Sequence, residues 1–531
     1  ADLVNQIKAG ADMNLILRQG GLLALLAMIS LACGGLAGFT CSKASAGFAK
    51  NVRHDIFDRV QTFTFSNIDK FSSSSLVTRM TTDVNNVQMS FMMLIRTAIR
   101  SPLMFIFSVV MAYIMGGALA TCFVIVVPIL IVGLLLISRK AMPAFRRVFK
   151  KYDRLNESIE ENVRGMRVVK GFAREDYEKQ KFGKEADSIC EDFTKAEKIV
   201  ALNTPLMNFC MYFNMAVILL LGSFMAINGI GGVDVGQMSA LLNYGMAILM
   251  SLMMLSMIYV MLTMSAESAQ RIVEVLNELP DMKEPEHPVM EVRDGSIDFD
   301  HVNFKYSKNA KKFALADIDL HIRSGMTVGI IGGTGSSKSS LVQLIPRLYD
   351  ATEGTVEIMG RDARNYPREE LRGKAAMVMQ KAQLFGGTIR SNLLWGNKNA
   401  TDADLWAALE TAQAAEFVKA KPLGLDEPVE QGGRNLSGGQ KQRLTIARAL
   451  VGKPEILILD DSASALDYAT DAALRKALAA LPGSLTVFIV SQRAASLQHA
   501  DQILVLDDGH LVGIGTHDQL RQTCPVYEEI Y

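Results

Sequence analysis

The run Met326-Thr327-Val328-Gly329-Ile330-Ile331 leads without a break into Gly332-Gly333-Thr334-Gly335-Ser336-Ser337-Lys338-Ser339. The first six residues are apolar and β-branched, the pattern of a buried strand. The glycine-rich stretch then turns the chain, and Leu341-Val342-Gln343-Leu344-Ile345 can begin a helix. Glycines let backbone N–H groups approach an anion closely. A helix N-terminus adds the positive end of its dipole. In such a loop Lys338 reaches the β- and γ-phosphates of a nucleotide, and the Ser339 hydroxyl ligates Mg²⁺. Gly332, Gly333, Thr334, Gly335, Ser336, Ser337, Lys338, Ser339 and Ser340 are therefore the nucleotide-binding candidates of this stretch. The strict pattern has glycine just before the lysine. Ser337 stands there instead, and its Cβ narrows the accessible φ/ψ space, so weakened or altered nucleotide contact is expected, not its loss.

Farther along, Ile456-Leu457-Ile458-Leu459 runs into Asp460-Asp461. Four apolar residues ending in an acid describe a buried strand delivering a carboxylate to its C-terminal edge, where ligands of open α/β sheets bind. Asp460 is a candidate Mg²⁺ holder, directly or through water. Between the two segments lies Leu436-Ser437-Gly438-Gly439-Gln440.

This last run is the signature of the ATP-binding cassette (ABC) transporters, and the chain resembles their exporter branch over essentially its whole length. The resemblance implies roles for residues that composition and spacing do not reveal. Tyr306 matches the aromatic that stacks on adenine. Gln380 matches the glutamine that contacts Mg²⁺ and senses the membrane domain. Glu430 matches an acidic crossover residue, and Ser464-Ala465-Leu466-Asp467 matches the D-loop. Ser437, Gly438, Gly439 and Gln440 would contact the nucleotide of a partner cassette. Asp461 stands where the family has a catalytic glutamate, and Gln492 where it has a histidine.

Those departures have physical consequences. A general base must lie within about 2.6–3.2 Å of the proton it takes, and aspartate is one methylene shorter than glutamate. Glutamine can hydrogen-bond a phosphate but cannot carry the positive charge of histidine. Asp461, Gln492 and Ser337 together imply retained ATP binding with slow hydrolysis. In this family two cassettes meet head to tail, each ATP lying between one phosphate loop and the other chain's signature. An intact signature beside a weakened site implies a heterodimer with a second half-transporter, whose own site this signature completes.

The first half of the chain has a different character. Hydrophobic residues make up 49% of the sequence, with 29 methionines. Five apolar stretches approach or exceed the roughly 20 residues that span a bilayer: Gly21–Phe39, 102–118, Leu119–Ser138, Pro205–Asn228 and Met238–Met264. The connection between Phe39 and Pro102 is rich in Lys and Arg, as is that between Ser138 and Pro205, which includes Arg139, Lys140, Arg146, Arg147, Lys150 and Lys151. The connections around Gly116-Gly117 and from Asn228 to Gln237 carry neither residue. By the positive-inside rule the two long loops, and the cassette after the last span, are cytoplasmic. Phe71–Leu76 and Ser158–Phe172 lie in the loops where exporters carry coupling helices; plain helical packing is the alternative for the second. Exporters have six spans per half, so a first span is expected to be missing from this sequence.

The spans are nearly free of ionisable side chains, which argues against a charged ion pathway. Methionines such as Met207, Met211, Met253, Met257 and Met264 suit a promiscuous cargo surface or simply fill gaps and face lipid. The six cysteines show no metal or redox spacing. A net charge of +0 argues against general nucleic-acid binding. The expected architecture is an α-helical transmembrane bundle of ABC exporter type (1–275), a Pro- and charge-rich linker (276–292), and an α/β P-loop NTPase cassette with a helical signature subdomain (293–531). The expected activity is ATP- and Mg²⁺-dependent export of drug-like molecules or lipids across the cell membrane. A peptide exporter and an ATP-gated regulatory or channel-like protein are the alternatives.

Overall fold

The computed structural model describes residues 12–228, 234–292, 294–307, 310–462, 464–481 and 483–531, together with Ile7 and Gly10. The middle of the Asn228–Gln237 connection, and the side chains of Arg146, Lys150 and Met264, fall outside the described set. The chain divides into two compact units: Ala1–Gln61 with Ser72–Glu278, and Thr62–Phe71 with Leu279–Tyr531.

The first unit is helical. Five segments are long and apolar enough to cross a membrane: Met13–Gln61, Ser73–Gly116, Leu119–Phe145, Glu175–Ile227 and Val235–Asn277. They contain three of the five apolar stretches read from the sequence whole; 102–118 overruns its segment by two residues and Pro205–Asn228 by one. Hydrocarbon offers no partner for free backbone polar groups, so a spanning segment must satisfy them internally. The 49 residues of Met13–Gln61 correspond to roughly 70 Å at the α-helical rise, more than twice the thickness of the hydrocarbon layer. The helices therefore continue well beyond the bilayer. Leu130, Ile218, Leu241, Ile248 and Leu249 form the centre of the apolar core. Close approach of the helices depends on small residues: a Cβ on Gly245 would lie 2.4 Å from Asn214 Nδ2.

A polar cluster joins the extended helix ends. Asp83 is fully buried; its Oδ1 accepts from Ser268 Oγ at 2.8 Å and from Arg271 Nη2 at 2.5 Å. Arg79 Nη1 donates to Glu274 Oε2 at 2.9 Å and to the Arg271 carbonyl at 2.6 Å. Arg53 Nη2 donates to Asn85 Oδ1 at 2.7 Å.

The second unit holds two main sheets. One is antiparallel, in the order β2-β1-β4-β5, from β1 (Ile297–Phe304), β2 (Leu315–Ile322), β4 (Glu353–Ile358) and β5 (Arg361–Asp362). The other runs β12-β11-β3-β10-β9-β6, from β3 (Thr327–Gly332), β6 (Ala375–Val378), β9 (Ile456–Asp460), β10 (Thr486–Val490), β11 (Gln502–Asp507) and β12 (His510–Gly515). Within it β6, β9, β10, β3 and β11 pair in parallel, and only β12 is antiparallel. β9 and β10 are buried at every position, as strands covered on both faces must be. A small ribbon, β7 (Gly387–Thr388) with β8 (Pro428–Val429), accompanies the helices Asp402–Thr411, Ala415–Lys419 and Gly438–Val451.

The short helix Phe65–Phe71 packs within this second unit. Tyr349 Oη donates to Asp69 Oδ2 at 2.6 Å, Asn67 Nδ2 donates to the Leu279 carbonyl at 3.2 Å, and the Phe65 and Tyr349 rings meet edge-on at 5.9 Å. The helix seated on the cassette thus lies N-terminal to the Phe71–Leu76 segment expected from sequence. Burial, followed by the Asp69 carboxylate, pushes the Tyr349 phenol well above the usual tyrosine range, so it stays a donor at physiological pH.

Asp83→Ala strips a buried carboxylate from two donors and is expected to destabilise the membrane unit by about 3 kcal/mol. Asp83→Asn, which keeps an acceptor, should cost less. Thermal unfolding of the two variants in nanodiscs checks the order.

Candidate nucleotide site

Parallel pairing brings the C-terminal ends of four strands together. Gly332 ends β3, Asp460 ends β9, Ser491 and Gln492 follow β10, and Gln380 lies just past β6. A cavity of about 370 Å³ opens at this edge, lined by Thr334, Gly335, Ser337–Ser340, Gln380, Asp460, Asp461, Val490, Ser491 and Gln492. Residues spread over more than 150 positions of sequence therefore face one volume.

The loop geometry follows from its residue types. A Cβ on Gly332 would sit 2.1 Å from the Leu506 carbonyl oxygen, so only glycine is tolerated. Gly335 has φ +84, in the left-handed region that glycine occupies freely. Ser337 is also left-handed, at φ 70 and ψ 25, immediately before the Lys338–Leu344 helix. The requirement for glycine at this point is thus a backbone requirement, and serine meets it at a cost of about 1 kcal/mol.

Lys338 Nζ donates to the carbonyls of Gly332 (2.9 Å) and Gly333 (2.7 Å) and to Ser336 Oγ (3.3 Å). Burial lowers its pKa, against the opposing pull of Asp461 and Asp460. Ser339 Oγ donates to Asp460 Oδ1 at 3.0 Å. Asp460 is buried, and burial raises its pKa, with Ser339 acting in the opposite direction. Oxygen donors from Ser339, Asp460 and the Gln380 amide suit a hard cation such as Mg²⁺. No group of three or more His, Cys, Asp or Glu side chains placed to hold a metal ion exists among the described residues. Such a cation would therefore take its remaining ligands from phosphate and water, as Mg²⁺ usually does.

Asp461 is left-handed at φ 46, and its N–H is bonded to the Val490 carbonyl at 3.1 Å. Gln380 Nε2 donates to its Oδ2 at 3.2 Å. The Asp461 carboxylate is thus tied to the glutamine beside it. Gln492 lines the same cavity.

Tyr306 is not in the cavity wall but is joined to it. Its hydroxyl lies 2.8 Å from Ser340 Oγ, and its ring meets Tyr349 edge-on at 5.2 Å. Burial raises the phenol pKa. The signature stands apart from the cavity. Ser437 caps the Gly438–Val451 helix in a capping box with Gln440, which leaves the glycines at an open helix start. Glu430 N–H is bonded to Asn435 Oδ1 at 3.1 Å, on the approach to that helix. Val490 and Tyr349 were not among the expected residues. Tyr349 has no local signal, because its partner Asp69 is 280 positions away.

A parallel sheet with a phosphate loop at its carboxyl edge, preceded in the same chain by membrane-crossing helices, defines a membrane-bound nucleotide-binding protein. Comparison with known proteins narrows the class. Residues 4–253 match the family model of the ABC transporter transmembrane region, and residues 315–464 match that of the ABC transporter cassette. The chain is 36% identical over 506 residues to the ABC transporter ATP-binding protein YfiB of Bacillus subtilis, covering 95% of this chain and 87% of that protein. A putative multidrug export ATP-binding/permease protein of Staphylococcus aureus is 38% identical over 375 residues, covering 70% of this chain and 64% of that protein. A bacterial Atm1-family ABC exporter solved with ATP bound has the same fold, at a TM-score of 0.83 and 23% identity, covering 97% of this chain and 91% of that one. The chain belongs to the ABC transporter family, as an exporter-type half-transporter with a multi-pass membrane region and an ATP-binding cassette.

Ser337→Gly should relieve the left-handed strain and stabilise the cassette by about 1 kcal/mol, visible as a rise in its thermal transition and tighter binding of a fluorescent ATP analogue. Asp460 supplies a pH test. A carboxyl whose folded pKa is raised keeps its proton more readily in the folded state, so its contribution favours folding at low pH. That contribution is lost as pH rises from the ordinary aspartate range through the raised value. Asp460→Asn should flatten this part of the stability profile measured without metal.

Proposed function

We propose that this chain is one half of an ATP-driven exporter of hydrophobic or amphipathic compounds, that its own site binds ATP and hydrolyses it slowly, and that its signature completes a competent site on a different half-transporter. Asp461 carries the reading. A carboxylate one methylene short of glutamate, held by Gln380, is badly placed to take a proton from water attacking a γ-phosphate. Gln492 in the same cavity cannot supply the positive charge of a histidine. Support for an export role comes from the apolar, charge-poor spans and from the S. aureus relative named for multidrug export. Tyr306 would stack on the base. The phosphate loop would hold the phosphates, and Ser339, Asp460 and Gln380 would hold Mg²⁺. ATP binding closes the paired cassettes and turns the cargo path outward; hydrolysis at the partner's site resets it.

Restoring the longer acid tests this. Asp461→Glu should raise single-turnover hydrolysis at this site by about tenfold or more, whereas Asp461→Asn should change total turnover little. Changing the partner's catalytic glutamate to glutamine should collapse turnover. Rapid ATP hydrolysis and transport by purified homodimers of this chain would refute the division of labour.

A further inference from the structure

A cavity of about 530 Å³ in the membrane unit holds two cations. Its walls come from two stretches of chain, 92–104 and 247–261, and seven of its 14 lining residues are methionine. The cations are Arg96 and Arg100. Both are exposed, so an anion reaches them without any movement of the backbone. Arg96 lies in a π-helical turn, Leu94–Ala98, between the α-helices Val84–Met93 and Arg100–Gly116. Such turns insert an extra residue into a helix and recur at functional sites. The apolar stretch 102–118 begins two residues after Arg100. The two guanidinium groups therefore stand at the cytoplasmic end of a span, the depth of lipid headgroups.

Nothing in the walls answers those charges. Arginine stays protonated at every physiological pH. Neither Arg96 nor Arg100 has an ion pair or a side-chain hydrogen bond among the described residues. No Asp or Glu occurs from Val84 to Gly116 or from Val235 to Ala266, the helical stretches that wall the cavity. Asp83, the acid just before them, is already held by Ser268 and Arg271. Two like charges about one helical turn apart repel each other. An anion placed between them removes that repulsion and gains charge-assisted hydrogen bonds. The methionines beside them offer flexible apolar surface for a chain attached to that anion.

We propose that this cavity binds a lipid of the cytoplasmic leaflet that carries a phosphomonoester headgroup. The phosphate bridges Arg96 and Arg100, and an acyl chain lies along Met250, Met254 and Met257. A guanidinium fork matches phosphate oxygens two at a time. A phosphomonoester carries about −1.5 to −2 charges at neutral pH and so balances both arginines. A phosphodiester headgroup brings one charge, and a zwitterionic headgroup brings no net charge. The site needs only the membrane unit. It goes beyond the exporter reading and does not rest on it.

The test is lipid binding to the full chain, read by native mass spectrometry after titration in detergent with dioleoyl lipids of three headgroups. Phosphatidic acid is the phosphomonoester, phosphatidylglycerol the phosphodiester and phosphatidylcholine the zwitterion. One saturable phosphatidic acid per chain is expected, bound about tenfold more tightly than phosphatidylglycerol. Raising the pH from about 5.5 to 7.5 completes the second ionisation of the phosphomonoester, so it should tighten phosphatidic acid alone. The pair Arg96→Gln and Arg100→Gln should erase both the preference and its pH dependence. The pair Arg96→Lys and Arg100→Lys keeps the charge without the fork, so it should weaken binding and retain the pH dependence. Arg139→Gln with Lys140→Gln removes two cations outside the cavity and should change neither. Thermal unfolding in nanodiscs shows that each variant is folded. Equal binding of the three lipids, a preference that survives Arg96→Gln with Arg100→Gln, or one lost equally with Arg139→Gln and Lys140→Gln overturns the proposal. Displacement of phosphatidic acid by an equal concentration of glycerol 3-phosphate also overturns it, because free phosphate ester would then suffice without a lipid chain. These measurements use neither ATP nor transport, so their failure leaves the exporter reading standing, and failure of export leaves this site standing.

Discussion

The parallel pairing of β3, β10 and β9 is the constraint on which the nucleotide site depends. Val490 lies opposite Ile330 on one side and Asp460 on the other. Parallel strands end at the same edge, so whatever follows each strand meets there. The phosphate loop, the Asp460-Asp461 pair and Ser491-Gln492 come from three distant parts of the chain and reach one cavity for this reason. The uniform burial of β9 and β10 holds that register, because sliding a covered strand would move polar loop residues into an apolar interior.

Chemistry at the edge then turns on small differences in reach and backbone freedom. The Ser339 to Asp460 hydrogen bond joins the start of the phosphate-loop helix to the end of β9, and so brings the oxygens suited to Mg²⁺ together. Ser337 keeps the left-handed turn that the loop needs, although it lacks glycine's freedom. Asp461, bonded to Gln380, follows Asp460 at the same edge and has a shorter arm than the glutamate that the resemblance implies there. Ser337 and Asp461 both remain in the wall of the one cavity.

The membrane unit obeys a different rule. Its helices are long because hydrocarbon cannot satisfy a broken backbone, and they pack closely where glycines remove the Cβ. Polar groups are gathered at the extended ends, as around Asp83. The short Phe65–Phe71 helix belongs by its contacts to the cassette unit. Tyr349 bridges its Asp69 and the ring of Tyr306, so one aromatic touches both the docked helix and the residue matched to adenine stacking.

Much of this was legible in the residues alone. Apolar length marks a membrane helix because the bilayer has a set thickness, and each of the five stretches falls on a long helical segment to within two residues of its end. Gly332 to Ser339 and the Ile456–Asp460 run announce a phosphate loop and an acid-tipped strand, since local sequence dictates local backbone. Position along the chain could not show that Gln380 donates to Asp461, that Tyr349 reaches Asp69, or that the docked helix begins at Phe65. Nor could it reveal a cavity whose walls come from two separate stretches of chain. Those features arise from side chains brought together by packing between elements far apart in sequence, and only the tertiary structure decides which of them meet.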